Sequence, residues 1–179
     1  VTVPDPEIIR TARLDLVPAT ADALRADLVG RVALSGYLGV DVPPAWPPPL
    51  YDESAVQWSL ARIAADPAHE RWGTRYFVRR TPGPIAIGAG GFKGPPQLGA
   101  VEIGYAVLPQ FQRQGLATEA GLGLVMRAFQ EPTVEQVLAE TLPNLRPSIA
   151  VLERIGFRLV GAGPEEGVVR YAIRREDLG

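Results

Sequence analysis

One stretch constrains the fold of this chain more than any other: residues 101–129, VEIGYAVLPQFQRQGLATEAGLGLVMRAF. Val101, Ile103, Tyr105 and Val107 alternate with Glu102, Gly104 and Ala106, the two-residue period of a sheet strand. Pro109 ends that strand, because it has no N–H to give to a ladder. Leu122, Val125, Met126 and Phe129 then recur at i, i+3, i+4 and i+7, which predicts a helix with those four on its apolar face. Between strand and helix lies Gln112-Arg113-Gln114-Gly115-Leu116-Ala117-Thr118. A small-residue turn feeding a helix start leaves several N–H groups pointing outward, and the helix dipole adds partial positive charge there. Such a place suits a phosphate or pyrophosphate. The same spacing also serves an ordinary strand-to-helix turn in which Gly115 only supplies positive φ.

The rest of the chain reads as alternating elements around that unit. A strand is expected over 8–17, with Leu14 and Leu16 on one side and Pro18 as its stop. Thr20 then caps a helix whose stripe is Leu24 and Leu28. From 30 to 50 the periodicity dissolves into a proline-dense run that forbids a helix, and a substrate-side loop is expected. A helix over 53–65 carries Val56, Leu60 and Ile63, with Ser54 and Gln57 as its capping box. Strands follow over 72–80 and 85–92, forming a hairpin. After the central helix come a strand over 137–142, a helix with Pro147 in its first turn and Gly156 as its left-handed cap, and a terminal hairpin around 161–164. The expected fold class is α/β (α+β): a mixed, mostly antiparallel central sheet flanked by helices, in a single domain over 1–179.

Composition excludes several classes of function. The chain has 179 residues and a formal net charge of −2, so no global field favours nucleic acid. With no cysteine there is no disulfide framework, thiolate metal site or cysteine nucleophile. No metal site is expected, since His69 is the only histidine and reads as a surface loop residue. Neither a membrane-spanning run nor a secretory pattern is seen, and a cytoplasmic protein is expected. A chain starting at Val1 suggests a trimmed initiator residue or leader.

Q-x-x-G-x-A followed by T-E-A, after an E-I-G-Y strand, resembles the acyl-CoA-binding motif of the GCN5-related N-acetyltransferases (GNAT), and more narrowly the RimJ/RimL-type branch. Three further segments agree in order: T-A-R-L-D-L-V-P-A-T near the start, G-G-F-K-G-P-P before the strand, and T-L-P-x-x-x-x-S-I-x-V-L-E-x-x-G-F near the end. The resemblance implies the acyl-CoA N-acyltransferase fold and acetyl-CoA as cofactor. It implies transfer of acetyl to a primary amine, a protein N-terminus or a small amine, by direct transfer in a ternary complex. Succinyl-CoA as donor, through a cationic pocket involving Arg75 or Arg146, and a non-catalytic acyl-CoA-binding regulatory module are the alternatives. Relatives are frequently dimers, so a homodimer is possible.

The resemblance also assigns residues. Gln112, Gly115 and Ala117 fall on motif positions, Arg113 and Gln114 fill variable slots, and Leu116 and Thr118 complete the turn that grips the pyrophosphate. The preceding strand pairs with the pantetheine arm, and its backbone N–H near Ala106 or Val107 stabilises the oxyanion. Glu102 is the candidate general base, or else a solvated strand residue. Ser148 is the candidate group at the departing sulfur, or else a first-turn helix residue bonding to backbone. The tyrosine that many family members place four residues after that serine is Leu152 here. The asparagine expected three residues before the serine is Leu145, with Asn144 as its neighbouring substitute. Trp46 and Tyr51 are the candidates for lining the acceptor pocket, whereas Trp58 and Trp72 read as core. Lys93 is open between a turn residue and a recognition charge.

Overall fold

The computed structural model describes residues 7–179; the expectation attached to Val1 lies outside them. Strands β1 (Ile9–Arg10) and β2 (Leu14–Pro18) lead into helices α1 (Ala21–Val29), α2 (Arg31–Leu38), α3 (Glu53–Ala65) and the single turn α4 (Ala68–Arg71). Then come β3 (Thr74–Arg79), β4 (Ile85–Phe92), β5 (Ala100–Val107), α5 (Leu116–Phe129), β6 (Gln136–Thr141), α6 (Arg146–Ile155), β7 (Arg158–Ala162) and β8 (Val169–Arg174). The strands form an eight-stranded sheet in the order β1-β2-β3-β4-β5-β6-β8-β7. Every neighbouring pair is antiparallel except β5 with β6, which run parallel across the α5 connection.

Helices cover both faces. Leu16 pairs with Phe77 and, like it, is fully buried; α5 lies over Leu16, so this is the α5 face. Tyr76, the next residue along, points to the opposite face and donates to Asp27 on α1 at 3.0 Å. Ser59 on α3 meets Thr74 at 3.0 Å on that same face. Burying Leu116, Leu124, Val125 and Phe129 on α5 contributes about 1.5–3 kcal/mol each before entropy is counted.

Several elements depart from the sequence reading. The buried side of α5 is Leu116, Ala120, Gly121, Leu124, Val125, Ala128 and Phe129, while Leu122 and Met126 are 40% and 52% exposed. Small residues bring the helix close: a Cβ on Gly121 would stand 2.5 Å from Ile155 Cδ1, and one on Gly123 2.9 Å from Thr11 Cγ2. The face therefore follows close approach rather than side-chain size. Within 30–50, α2 forms and ends at Gly39 in the left-handed conformation, and only the stretch after it is irregular. Asp52, not Ser54, caps α3 by accepting from the Ala55 N–H, while Gln57 bonds to Glu53. Leu28 is half out of the α1 stripe, and β7 runs on through Ala162 before the final turn. Thr20 and Gly156 cap as expected.

Candidate functional site

The parallel pairing of β5 with β6 runs only from Ala100↔Gln136 to Ile103↔Ala139. Beyond it β5 continues along β4 to Val107, and β6 continues along β8 to Thr141. The two central strands thus part, and a wedge opens between them. Backbone direction alternates along a strand, and Glu102 C=O accepts from Lys93 while Leu108 N–H donates to Ile87, both toward β4. Tyr105 and Val107 therefore turn their backbone groups into the wedge. Val107 C=O is taken by Gln112 Nε2 at 2.9 Å, which ties the following turn to the strand and leaves the Val107 N–H facing the opening. Ala106 belongs to the other phase, so its N–H faces the β4 ladder and not the opening.

The turn after β5 stands at the mouth of this wedge. A short 3₁₀ turn, Pro109–Phe111, brings the chain round, Arg113 and Gly115 take positive φ (61° and 75°), and α5 begins. Gly115 offers no side chain to cap the helix. Among the described residues no loop or cap hydrogen bond uses the N–H groups of Arg113, Gln114, Gly115, Leu116, Ala117 or Thr118; Glu119 N–H is the first to bond, to Gly115 C=O at 3.0 Å. Six N–H groups without such a bond stand at or just before the start of a helix, where the dipole also favours an anion. Arg13 steadies the loop from outside: Nη1 donates to Gln114 C=O at 2.9 Å and Nε to Glu119 at 2.7 Å. Sequence reasoning did not find Arg13, whose partners are about a hundred residues away in the chain. Burial alone would raise the Glu119 pKa, but Thr11 and Arg13 together hold it below the ordinary carboxylate value.

On the β6 side, Thr141 donates to Ser148 Oγ at 3.0 Å. The Tyr105 hydroxyl is buried there without a hydrogen-bond partner; burial raises its pKa and the neighbouring Ser148 hydroxyl offsets part of that rise. Asn144 lies exposed in the turn before α6, its C=O accepting from the Arg146 N–H. Glu102 is on the face opposite α5, half-buried and ion-paired with Lys93, so that lysine is a partner of the candidate base.

Other expected site residues are placed differently. Trp46 and Tyr51 are buried, and their polar ends converge with Tyr76 on Asp27: Trp46 Nε1 to Oδ1 at 2.9 Å, both tyrosine hydroxyls to Oδ2 at 3.0 Å. They brace the proline-dense segment from within, as three donors on one carboxylate. An open groove of about 680 Å³ lies beside that segment, between Ser35, Asp41, Arg79, Pro82 and Ile85. His69 is inside rather than on the surface: its side chain is 11% exposed, with Nε2 buried against Gly94. Trp58 is exposed at 47% with Arg62 stacked over it, whereas Trp72 packs on Phe92. No cluster of metal ligands and no helix long and apolar enough to cross a membrane occurs among the described residues.

Comparison with known proteins places the chain and its fold. Over 86 residues the chain is 36% identical to the FsC-acetyl coenzyme A-N(2)-transacetylase of Aspergillus fumigatus, covering 42% of this chain and 37% of that protein. The chain therefore spans little more than a third of the length of the curated relative it matches. Its fold is similar to an acetyltransferase from Agrobacterium tumefaciens (TM-score 0.62, 24% identity, 98% of this chain and 96% of the other). It is similar also to Mycobacterium smegmatis RimJ solved with CoA-disulfide (TM-score 0.60, 24% identity, 92% and 83%). A family model described as acetyltransferase (GNAT) domain matches residues 11–158, the span that holds the wedge, the turn and the hydroxyls at α6, and the chain belongs to that family.

Proposed function

We propose that this protein is an acetyl-CoA-dependent N-acetyltransferase that passes acetyl directly to a primary amine in a ternary complex. One observation carries the reading: an unpaired strand edge at Tyr105 and Val107 adjoins a turn with six free N–H groups. A pantetheine arm needs the first, and a pyrophosphate needs the second. Gln112, Arg113, Gln114, Gly115, Leu116, Ala117 and Thr118 form the anion site, with Asn144 on the far side of the wedge. Acetyl-CoA supplies a thioester, whose C–S bond breaks as the amine nitrogen forms the new C–N bond. Val107 N–H is the donor for the carbonyl oxygen as it becomes negative. Glu102 takes the amine proton through water on the α1–α3 side, with Lys93 holding its carboxylate in place. Without cysteine, direct transfer is favoured over an acyl-enzyme.

Of the two cations considered for a succinyl donor, Arg146 is exposed at the start of α6 and Arg75 is withdrawn from it. Arg75 is fully buried and bonds to the carbonyls of Glu7, Leu16 and Arg71, so its charge is spent inside the fold. The acceptor is a protein N-terminus or a small amine, entering along the groove at Asp41 and Arg79. Thiol release from acetyl-CoA across peptides with varied first residues, amino acids, polyamines and aminoglycosides tests this. Release with one class, reduced at least about a hundredfold in Glu102→Gln at unchanged acetyl-CoA affinity, is expected. Tight binding with no release for any amine would favour a regulatory module.

A further inference from the structure

The wedge holds three hydroxyls, and one has no bonding partner. Extending the β5–β6 register by two places from Ile103↔Ala139 sets Tyr105 across from Thr141. Thr141 donates to Ser148, which fills one lone pair of Ser148 Oγ and leaves its proton free to point elsewhere. The Tyr105 hydroxyl lies beside them, out of solvent and near enough to Ser148 to feel it, but without a partner in hydrogen-bonding geometry among the described residues. Native folds seldom bury a hydroxyl without a partner, and a site that receives a ligand is where such a group belongs. The surroundings fit the tyrosine closely: its ring edge at Cε1 is 3.8 Å from where a Cβ on Gly121 would be, so the bare helix surface makes room for it.

Position adds a second argument, which rests on the donor site proposed above. With the pyrophosphate at residues 113–118, the pantetheine arm enters at Val107 and runs toward the point where pairing resumes at Ile103. The reactive end of the donor then lies between the Val107 N–H and the Tyr105 hydroxyl. We propose that the Tyr105 O–H, together with that of Ser148, donates a hydrogen bond to the sulfur of the bound acyl-CoA and holds the negative charge that gathers there. The electron pair of the C–S bond goes onto sulfur as the C–N bond forms, and the amine proton leaves to Glu102 through water. Tyr105 and Ser148 keep their own protons, since burial raises the Tyr105 pKa above that of a thiol. The thiolate takes its proton from solvent after release. A hydroxyl from the strand thereby replaces the tyrosine that α6 lacks at Leu152, which is buried in the core at 1% exposure.

Titration of CoA and of desulfo-CoA into wild type, Tyr105→Phe and Ser148→Ala reads the sulfur contact without turnover. Tyr105→Phe keeps the ring and its packing. Wild type is expected to prefer CoA about tenfold, Tyr105→Phe about twofold, with the acetyl-transfer kcat of Tyr105→Phe down about tenfold and its acetyl-CoA affinity within about threefold. A Tyr105→Phe protein that keeps the full sulfur preference, or keeps the wild-type kcat, overturns the proposal. Failure of the wild type to bind either compound overturns the donor site itself, and this role with it.

Discussion

Helices α3 and α5 both start after a turn, and both carry an acid in the first turn, Glu53 and Glu119. Their first N–H groups meet opposite fates. At α3, Asp52 sits in extended backbone and its side chain accepts from the Ala55 N–H, so the chain caps its own helix start. At α5, Gly115 sits at φ 75°, caps nothing, and leaves the donors of the turn open. A capped start is a gain in stability; an open one is a gain in binding, at the cost of that stability. The open start coincides with the parted strands, and the closed one does not.

The largest effect is expected from reversing the α5 arrangement. Gly115→Asp adds a carboxylate at the edge of the turn, its Cβ 3.4 Å from Arg13 Nη2, and aspartate is among the residues that tolerate left-handed backbone. Acetyl-CoA affinity should fall at least about a hundredfold, because the new charge stands beside the anion site and repels its ligand. Gly115→Asn is the neutral control and should lose much less. Calorimetric titration with melting curves beside it checks both. Equal losses in the two variants would show that strain, rather than charge, closes the site.

A smaller effect follows at the closed start. Asp52→Ala removes the α3 cap and should lower the unfolding free energy by about 1 kcal/mol. Acetyl-CoA affinity should not move, because no hydrogen bond joins α3 to the turn before α5. Urea unfolding and the same titration separate the two readouts. A change in affinity would mean that α3 and the donor site are coupled through the sheet.

These two starts were not equally legible. At the turn before α5 the spacing left two uses of Gly115 open, a phosphate cradle or an ordinary turn, and the resemblance, not the periodicity, chose between them. The α3 cap was misplaced by two residues, since Asp52 and Ser54 both precede the same apolar stripe and only the backbone angle chooses between them. The buried face of α5 was hidden by Gly121 and Gly123: a count of large apolar residues selects Leu122 and Met126, which face outward. Trp46 and Tyr51 looked like pocket residues because proline surrounds them, and nothing local announces Asp27 as their partner. Arg13 and Tyr105 were missed as site residues for the same reason. Their roles depend on which strand ends and helix starts meet, and that is set by the topology of the sheet.

The smallest expected effect concerns the acid of the open start. Glu53 at α3 bonds to Gln57 on its own helix, whereas Glu119 accepts from Thr11 Oγ1 at 2.6 Å and from Arg13 N–H and Nε at 2.7 Å. It therefore fastens the β1–β2 turn to the donor site, and Arg13 balances a negative charge that would otherwise oppose a phosphate. Burial works against the charged form, but the bonds from Thr11 and Arg13 win, so the folded-state pKa lies below the unfolded one. Such a carboxylate contributes stability that is fully present above its unfolded pKa, about 4.3, and is lost as pH falls through the lower folded value. The gap in urea midpoint between wild type and Glu119→Gln should stay constant from about pH 7 to pH 5 and close as pH falls below the unfolded value. If the Glu119 gap persists into acid, the contact is held by shape and not by charge, and the open helix start owes its order to packing alone.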